Sequence, residues 1–162
     1  MATPVELEAL GSAIRLRIIR LTHQRPLTNK EIAERLGRDP ATTLHHVRKL
    51  VAAGFLVAEP QRRGNRGAKE IPYRSTGASW GLDFRDGRPE EISEAMLQAY
   101  LNEVSDVGLG NVVQSRLVVQ VDERGRAELV GRMSALLDEY AARPPEPGVE
   151  RTAVYLAWYP GE

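Results

Sequence analysis

Pro40-Ala41-Thr42-Thr43-Leu44-His45-His46-Val47-Arg48-Lys49-Leu50-Val51-Ala52-Ala53-Gly54-Phe55-Leu56 is the stretch on which the fold turns. Asp39 stands before it as a helix cap, and Pro40 takes the first turn, where a missing N–H costs nothing. Leu44, Val47, Leu50 and Val51 recur every three or four residues, which predicts one buried side, and Gly54 ends the helix. Thr42, Thr43, His45, His46, Arg48 and Lys49 are left to face outward.

Working upstream, Thr28-Asn29-Lys30-Glu31 has the spacing of a capping box, in which the threonine hydroxyl accepts the Glu31 amide and the carboxylate reaches back. The short helix it opens is buried through Ile32, Ala33 and Leu36, and Gly37 closes it. Only Gly37-Arg38-Asp39 separates the two helices, the spacing of a helix-turn-helix. Further back, Thr3-Pro4 begins a leading helix whose apolar stripe is Leu7, Leu10, Ile14, Ile18 and Leu21. Arg15, Arg17 and Arg20 lie off that stripe, and Gln24-Arg25-Pro26 stops it.

Working downstream, Phe55 to Ala58 reads as a short strand and Ile71 to Ser75 as its return, with Pro72 expected on an edge. The hairpin tip between them carries Arg62, Arg63, Arg66 and Lys69, with Asn65 among them. So much positive charge on one small loop repels itself unless anions compensate, and phosphates do so. Helix, helix, turn, helix, strand, basic loop, strand is the order of a winged helix-turn-helix domain.

The rest of the chain is of another kind. Ser79 to Arg88 reads as a connector, with Trp80, Leu82 and Phe84 docking it. Pro89-Glu90-Glu91 starts a helix whose stripe runs through Ile92, Met96, Ala99, Tyr100, Val104 and Val107. Arg116 to Asp122 alternates in the manner of a strand, Arg126 to Arg143 is helical, and Thr152 to Tyr159 reads as a last strand. Two strands make too small a sheet to stand alone, so they are expected to pair and then pack on helices or continue across a dimer. The class expected is α+β: a winged helix-turn-helix domain over 1–77, a connector over 78–88, and a region over 89–162 holding a dimerisation helix and a small α/β layer.

Composition fits this division. The 162 residues have 22 basic and 22 acidic side chains and no cysteine. Residues 1–77 hold 14 Lys and Arg against 7 Asp and Glu, a net +7, which leaves the remainder at −7. A basic half suits a polyanion. The absence of cysteine excludes zinc-thiolate sites, thiol nucleophiles and thiol switches. The longest uncharged apolar stretch, Val51 to Ala58, is far short of the roughly 20 residues a membrane helix needs. Charges at Glu6, Glu8, Arg15 and Arg17 interrupt any signal-peptide core, so a cytoplasmic location is expected.

With those residues in view, the segment from Leu7 to Thr76 resembles the ArsR-type repressors. Pro40 to Leu56 is similar to their recognition-helix segment, in which a His-His pair precedes an apolar stripe, Ala-Gly and the first wing strand. Gly11-Ser12 followed by Ile14-Arg15-Leu16-Arg17-Ile18 is similar to their usual opening. The resemblance implies a winged helix that binds double-stranded DNA as a homodimer. Thr42, Thr43, His45 and His46 would then reach base edges, with Arg48, Lys49 and the wing residues Arg62, Arg63, Asn65, Arg66 and Lys69 on the backbone or in the minor groove. Metal-sensing relatives use cysteines on the recognition helix or His and Asp/Glu on the dimer helix. This chain has no cysteine and no histidine after His46, so no metal or other cofactor is expected.

For the acidic half, a dimer seam through Ile92, Met96, Tyr100 and Val104 is expected, although the same stripe could be intradomain core. Tyr100, Tyr140, Tyr155 and Trp158, with Tyr159, either line a pocket for a small apolar effector or are ordinary core and interface aromatics. The serines of this half lack a histidine nearby and Glu90, Glu91 and Glu94 are explained as a helix start, so no enzyme is expected. The sequence thus points to a homodimeric transcription regulator, more a repressor than an activator. Its rival is an interaction adaptor whose winged domain binds protein instead of DNA.

Overall fold

The computed structural model describes residues 2–64, 68–82, 89–144, 146 and 148–161. Its α+β chain runs α1 (Pro4–Leu10), α2 (Ala13–Thr22), β1 (Leu27–Thr28), α3 (Asn29–Leu36), α4 (Pro40–Ala52), β2 (Leu56–Ala58), β3 (Arg62–Arg63), β4 (Lys69–Glu70), β5 (Pro72–Ser75), α5 (Glu90–Val107) and α6 (Glu123–Ala141). Two compact units divide it, residues 1–110 and 111–162.

The first unit is a winged helix-turn-helix. Thr3 caps α1 through a capping box with Glu6. The leading helix expected as one piece is two, because the chain breaks at Gly11–Ser12 and restarts at Ala13. Arg15 repairs the break. Its side chain is buried and donates to the carbonyls of Ala9, at 2.6 Å, and Glu8, satisfying acceptors that the end of α1 would otherwise orphan. Ile18, Leu27, Ile32, Val47, Leu50 and Phe55 form the core over which α2, α3 and α4 pack.

The sheet has the order β1-β5-β2, antiparallel throughout, with Leu27 opposite Tyr73 and Leu56 opposite Ser75. The return strand is therefore central, and Pro72 is not on an edge as expected. It is tolerated because it is the first residue of the strand, where no N–H is required, while its carbonyl still accepts from Glu59 at 2.8 Å. Beyond the sheet β3 and β4 pair as the base of the wing, Arg62 opposite Glu70. In the connector Leu82 packs on the core, Trp80 is 64% exposed, and Phe84 lies outside the described residues.

The helix α5 belongs to this first unit, which moves the boundary from the expected connector to residue 110. Its Ile92, Ala95 and Ala99 are buried and it packs on α2 and α1. Arg17 pairs with Asp106 and Arg20 with Glu103, so part of the charge contrast between the halves is consumed within the unit. Ile92 and Met96, expected on a dimer seam, are core residues instead. The side of α5 left exposed carries Leu97 and Leu101, with Val104 half-buried beside them.

The second unit contains α6, capped by Asp122 accepting from the Gly125 amide at 2.8 Å. Neither strand expected here, over 116–122 and 152–159, is formed: among the described residues these segments carry no ladder. Alternation makes a strand possible, but a ladder needs hydrogen bonds from a neighbouring segment, and none is formed among the described residues. Of the set expected to be buried on α6, Leu129, Val130, Met133 and Leu137 are half-buried, while Leu136 and Tyr140 are exposed.

Candidate nucleic-acid interface

The turn between α3 and α4 is built from local chemistry. Thr28 accepts the Glu31 amide and the Glu31 carboxylate takes the Thr28 amide at 2.7 Å. Gly37 adopts φ 60°, the left-handed conformation that a Cβ would strain, and the chain reverses there. Asp39 then accepts from the amides of Ala41 and Thr42 at 2.9 and 3.0 Å, and those hydrogen bonds hold its carboxyl below the usual range. With its first turn satisfied in this way, α4 starts at Pro40 with a fixed axis.

What α4 presents is set by its buried side, which is Thr43, Val47 and Leu50. Thr43 is 1% exposed and donates its hydroxyl to the Asp39 carbonyl at 2.9 Å, so it is unavailable to a base. His46 is half-buried, with Nδ1 inaccessible and unpartnered. Burial, followed by the nearby Arg15 charge, pushes the His46 pKa down. His45 is exposed and meets His46 edge to face, ring centroids 5.9 Å apart. The outward side is accordingly Thr42, His45 and Arg48, at helical spacings of three. Lys49 turns away and pairs with Glu8 of α1 at 2.8 Å.

The wing residues are similarly sorted. Arg62 pairs with Glu31 at 2.8 Å and lies 3.7 Å from Glu70. Arg63 and Lys69 are exposed and have no ion-pair partner among the described residues, nor does Arg48. Asn65 and Arg66 lie outside the described residues.

Two contacts that the sequence reading missed tie these pieces together. Asn29, in the first turn of α3, donates from Nδ2 to the Pro40 carbonyl at 2.8 Å. Two residues on, Glu31 holds Arg62. The start of α4 and the base of the wing are thus fastened to the same turn of α3. A carboxylate in a capping box is legible locally, but its second duty toward a residue 31 positions away is not.

The four aromatics considered for an effector pocket are divided between the units, Tyr100 in the first and Tyr140, Tyr155 and Trp158 in the second. Tyr140 is exposed, with the Arg143 guanidinium 3.7 Å above its ring. An apolar groove at the end of α5 is lined by Leu101, Val104, Ser105, Gly108 and Leu109, and by none of the four. Among the described residues no helix is long and apolar enough to cross a membrane.

The first unit therefore has the architecture of a winged helix-turn-helix domain. A family model described as a helix-turn-helix domain matches residues 10–58, the span from the end of α1 to the end of β2. Among solved structures, the chain is similar to an apo double mutant of Lactococcus lactis ZitR, at 19% identity and TM-score 0.37 over 82% of this chain and 85% of that one. A second structure of the mutant gives 17% identity and TM-score 0.33 over 82% and 74%. Comparison with curated proteins finds no match.

Proposed function

We propose that this chain is a sequence-specific double-stranded DNA-binding regulator of transcription, ArsR-like, acting as a homodimeric repressor. The observation that carries the reading is the joining of an outward Thr42–His45–Arg48 stripe to a cationic wing through the first turn of α3. A helix whose exposed N-terminal side chains number so few, and whose other sides are buried or paired, is suited to enter a major groove.

Within this reading Arg48, Arg63 and Lys69 neutralise phosphates, and Thr42 and His45 meet base edges. Thr43 is excluded by burial and Lys49 by its pairing with Glu8. Arg62 serves first to orient the wing. Reading two half-sites requires a second copy, and Leu97, Leu101 and Val104 of α5 are a seam available to it. A small apolar ligand at the groove closing α5 would act on that seam and release the operator.

Mobility shift of a random duplex over a salt series tests the electrostatic part. A dimer engaging three cations per protomer should lose affinity with a slope of about −5 in log K against log salt. Binding that ignores salt, or no binding at low salt, removes the reading and leaves the winged unit as a protein-binding module.

A further inference from the structure

The second unit has no buried residue among those described, although it spans residues 111–162. Ordering a segment costs about 1–2 kcal/mol per residue in backbone entropy, and only burial or pairing offsets a cost of that size. Eleven of its large apolar residues between Leu117 and Tyr159 stand instead 41–82% exposed. Together they present on the order of 1,000 Å² of accessible surface, compared with the roughly 800 Å² that a stable interface takes from each partner.

The exposed groups are arranged as unfinished sheet. Leu117, Val119 and Val121 alternate along one segment, and Val154, Leu156 and Trp158 along the other. The two run near one another, since a Cβ placed on Gly161 would meet Val118 at 3.2 Å. The segments 116–121 and 152–159 contain no lysine or proline, and Arg116 is their single charge, with Asp122 and Arg151 flanking them. Lysine and proline are the residues that normally keep a strand edge from pairing with another chain. On the connecting helix α6 Glu128 pairs with Arg132 at 3.7 Å, and Glu139 pairs with Arg143 just beyond its end at 2.6 Å. Nothing in this surface selects a partner of opposite charge.

We infer that residues 111–162 form one half of a strand–helix–strand layer that is completed by the same unit of a second copy, with 116–121 and 152–159 becoming strands on association. A near-neutral apolar edge is complementary to itself, which is what an isologous two-fold interface requires. Doubling the unit gives four strands with helices on one face, past the three that a sheet needs to be stable in water. Folding of this unit is then coupled to dimerisation, and its order depends on protein concentration. The inference stands independently of DNA binding.

Amide hydrogen exchange on the full-length chain, run over a concentration series alongside sedimentation, tests it. The amides of 116–121 and 152–159 should be unprotected where the chain sediments as a monomer. Protection should rise with the dimer, by about 15-fold at a total chain concentration 100 times the dissociation constant. A Val119→Asp, Leu156→Asp chain should lose protection in both segments at every concentration while α2 to α4 stay protected. Protection that is already full in the monomer, or absent in a dimer, overturns the inference. So does a doubly substituted chain that retains it. The wild-type series decides even if that variant aggregates. A protected dimer that fails to shift DNA would sink the regulator reading and leave this one intact.

Discussion

Every buried side chain among the described residues lies in the first unit, and the second has none. Both are amphipathic by pattern. They differ in where the partner of each apolar face is found. In the first unit the faces of α2, α3, α4 and α5 meet one another around Ile18, Val47, Leu50 and Phe55. In the second, α6 has two apolar-patterned segments for company and no hydrogen-bonded sheet to pack on. Amphipathic patterning fixes which side of an element must be covered, while chain topology decides whether the cover is intramolecular.

The sharpest way to break that contrast is to truncate matched leucines. Leu50 is fully buried and Leu136 is 47% exposed. Leu50→Ala should cost about 3 kcal/mol in denaturant unfolding of the first unit, from lost transfer free energy and the cavity left behind. Leu136→Ala should cost under about 1 kcal/mol in dilute solution, a surface-type effect. Its cost should climb toward the Leu50 figure as protein concentration rises, if a second copy covers it. The two tryptophans allow the units to be read separately, since Trp80 belongs to the first and Trp158 to the second. Tryptophan fluorescence of a Trp158→Phe chain therefore follows the first unit alone. Equal costs for the two leucines at high dilution would erase the distinction.

The next effects concern the interface itself. Thr42→Ala or His45→Ala should reduce discrimination between operator and random duplex by about 1–3 kcal/mol. Thr43→Ala should leave discrimination unchanged and lower thermal stability instead, because that hydroxyl serves the Asp39 carbonyl. Arg48→Ala with Arg63→Ala should weaken binding to both duplexes alike and flatten the salt slope by about 1 for each contact removed. Competition binding on selected and random duplexes over a salt series separates these outcomes. Smaller again is the cap: Asp39→Ala should cost about 1 kcal/mol of stability through the two amides it accepts.

Why some of this was legible beforehand follows from range. Thr28 with Glu31, Asp39 with Pro40, and Gly37 act within one turn, so their spacing states their geometry. The wing was legible from repulsion among its cations. Thr43 and His46 were misplaced because the inward stripe of α4 includes a threonine that satisfies its own hydroxyl four residues back, so polarity did not mark exposure. Arg15 was hidden by the same rule, being a charge that is buried because it caps a helix the apolar periodicity did not show to end. Pro72 depended on strand order, which involves β1, a strand of two residues with no pattern to detect. The strands expected in the second unit rested on alternation alone, which states which side of a segment is apolar and not whether a hydrogen-bonded neighbour lies beside it.

The smallest predicted effect turns on His46. Burial and the charges of Arg15, His45, Arg38 and Lys49 lower its pKa in the folded chain below the ordinary 6.5. The unfolded chain therefore binds a proton at a pH where the folded chain does not, and stability must rise with pH across that interval. Full stability is present above the unfolded value and is lost as pH falls through it toward the folded one. The lowered carboxyls of Glu8, Glu31 and Asp39 titrate below their ordinary 4.5, 4.5 and 3.8, outside this window. Thermal melts of a Trp158→Phe chain, which follow the first unit, should show a lower midpoint at about pH 5.5 than at about pH 7.5. Adding His46→Gln should shrink that difference, and His45→Gln, which removes one of the charges acting on His46, should shrink it less. If both substitutions left the difference untouched, the half-buried imidazole would have no part in the pH response, and the inward placement of His46 on α4 would be refuted along with it.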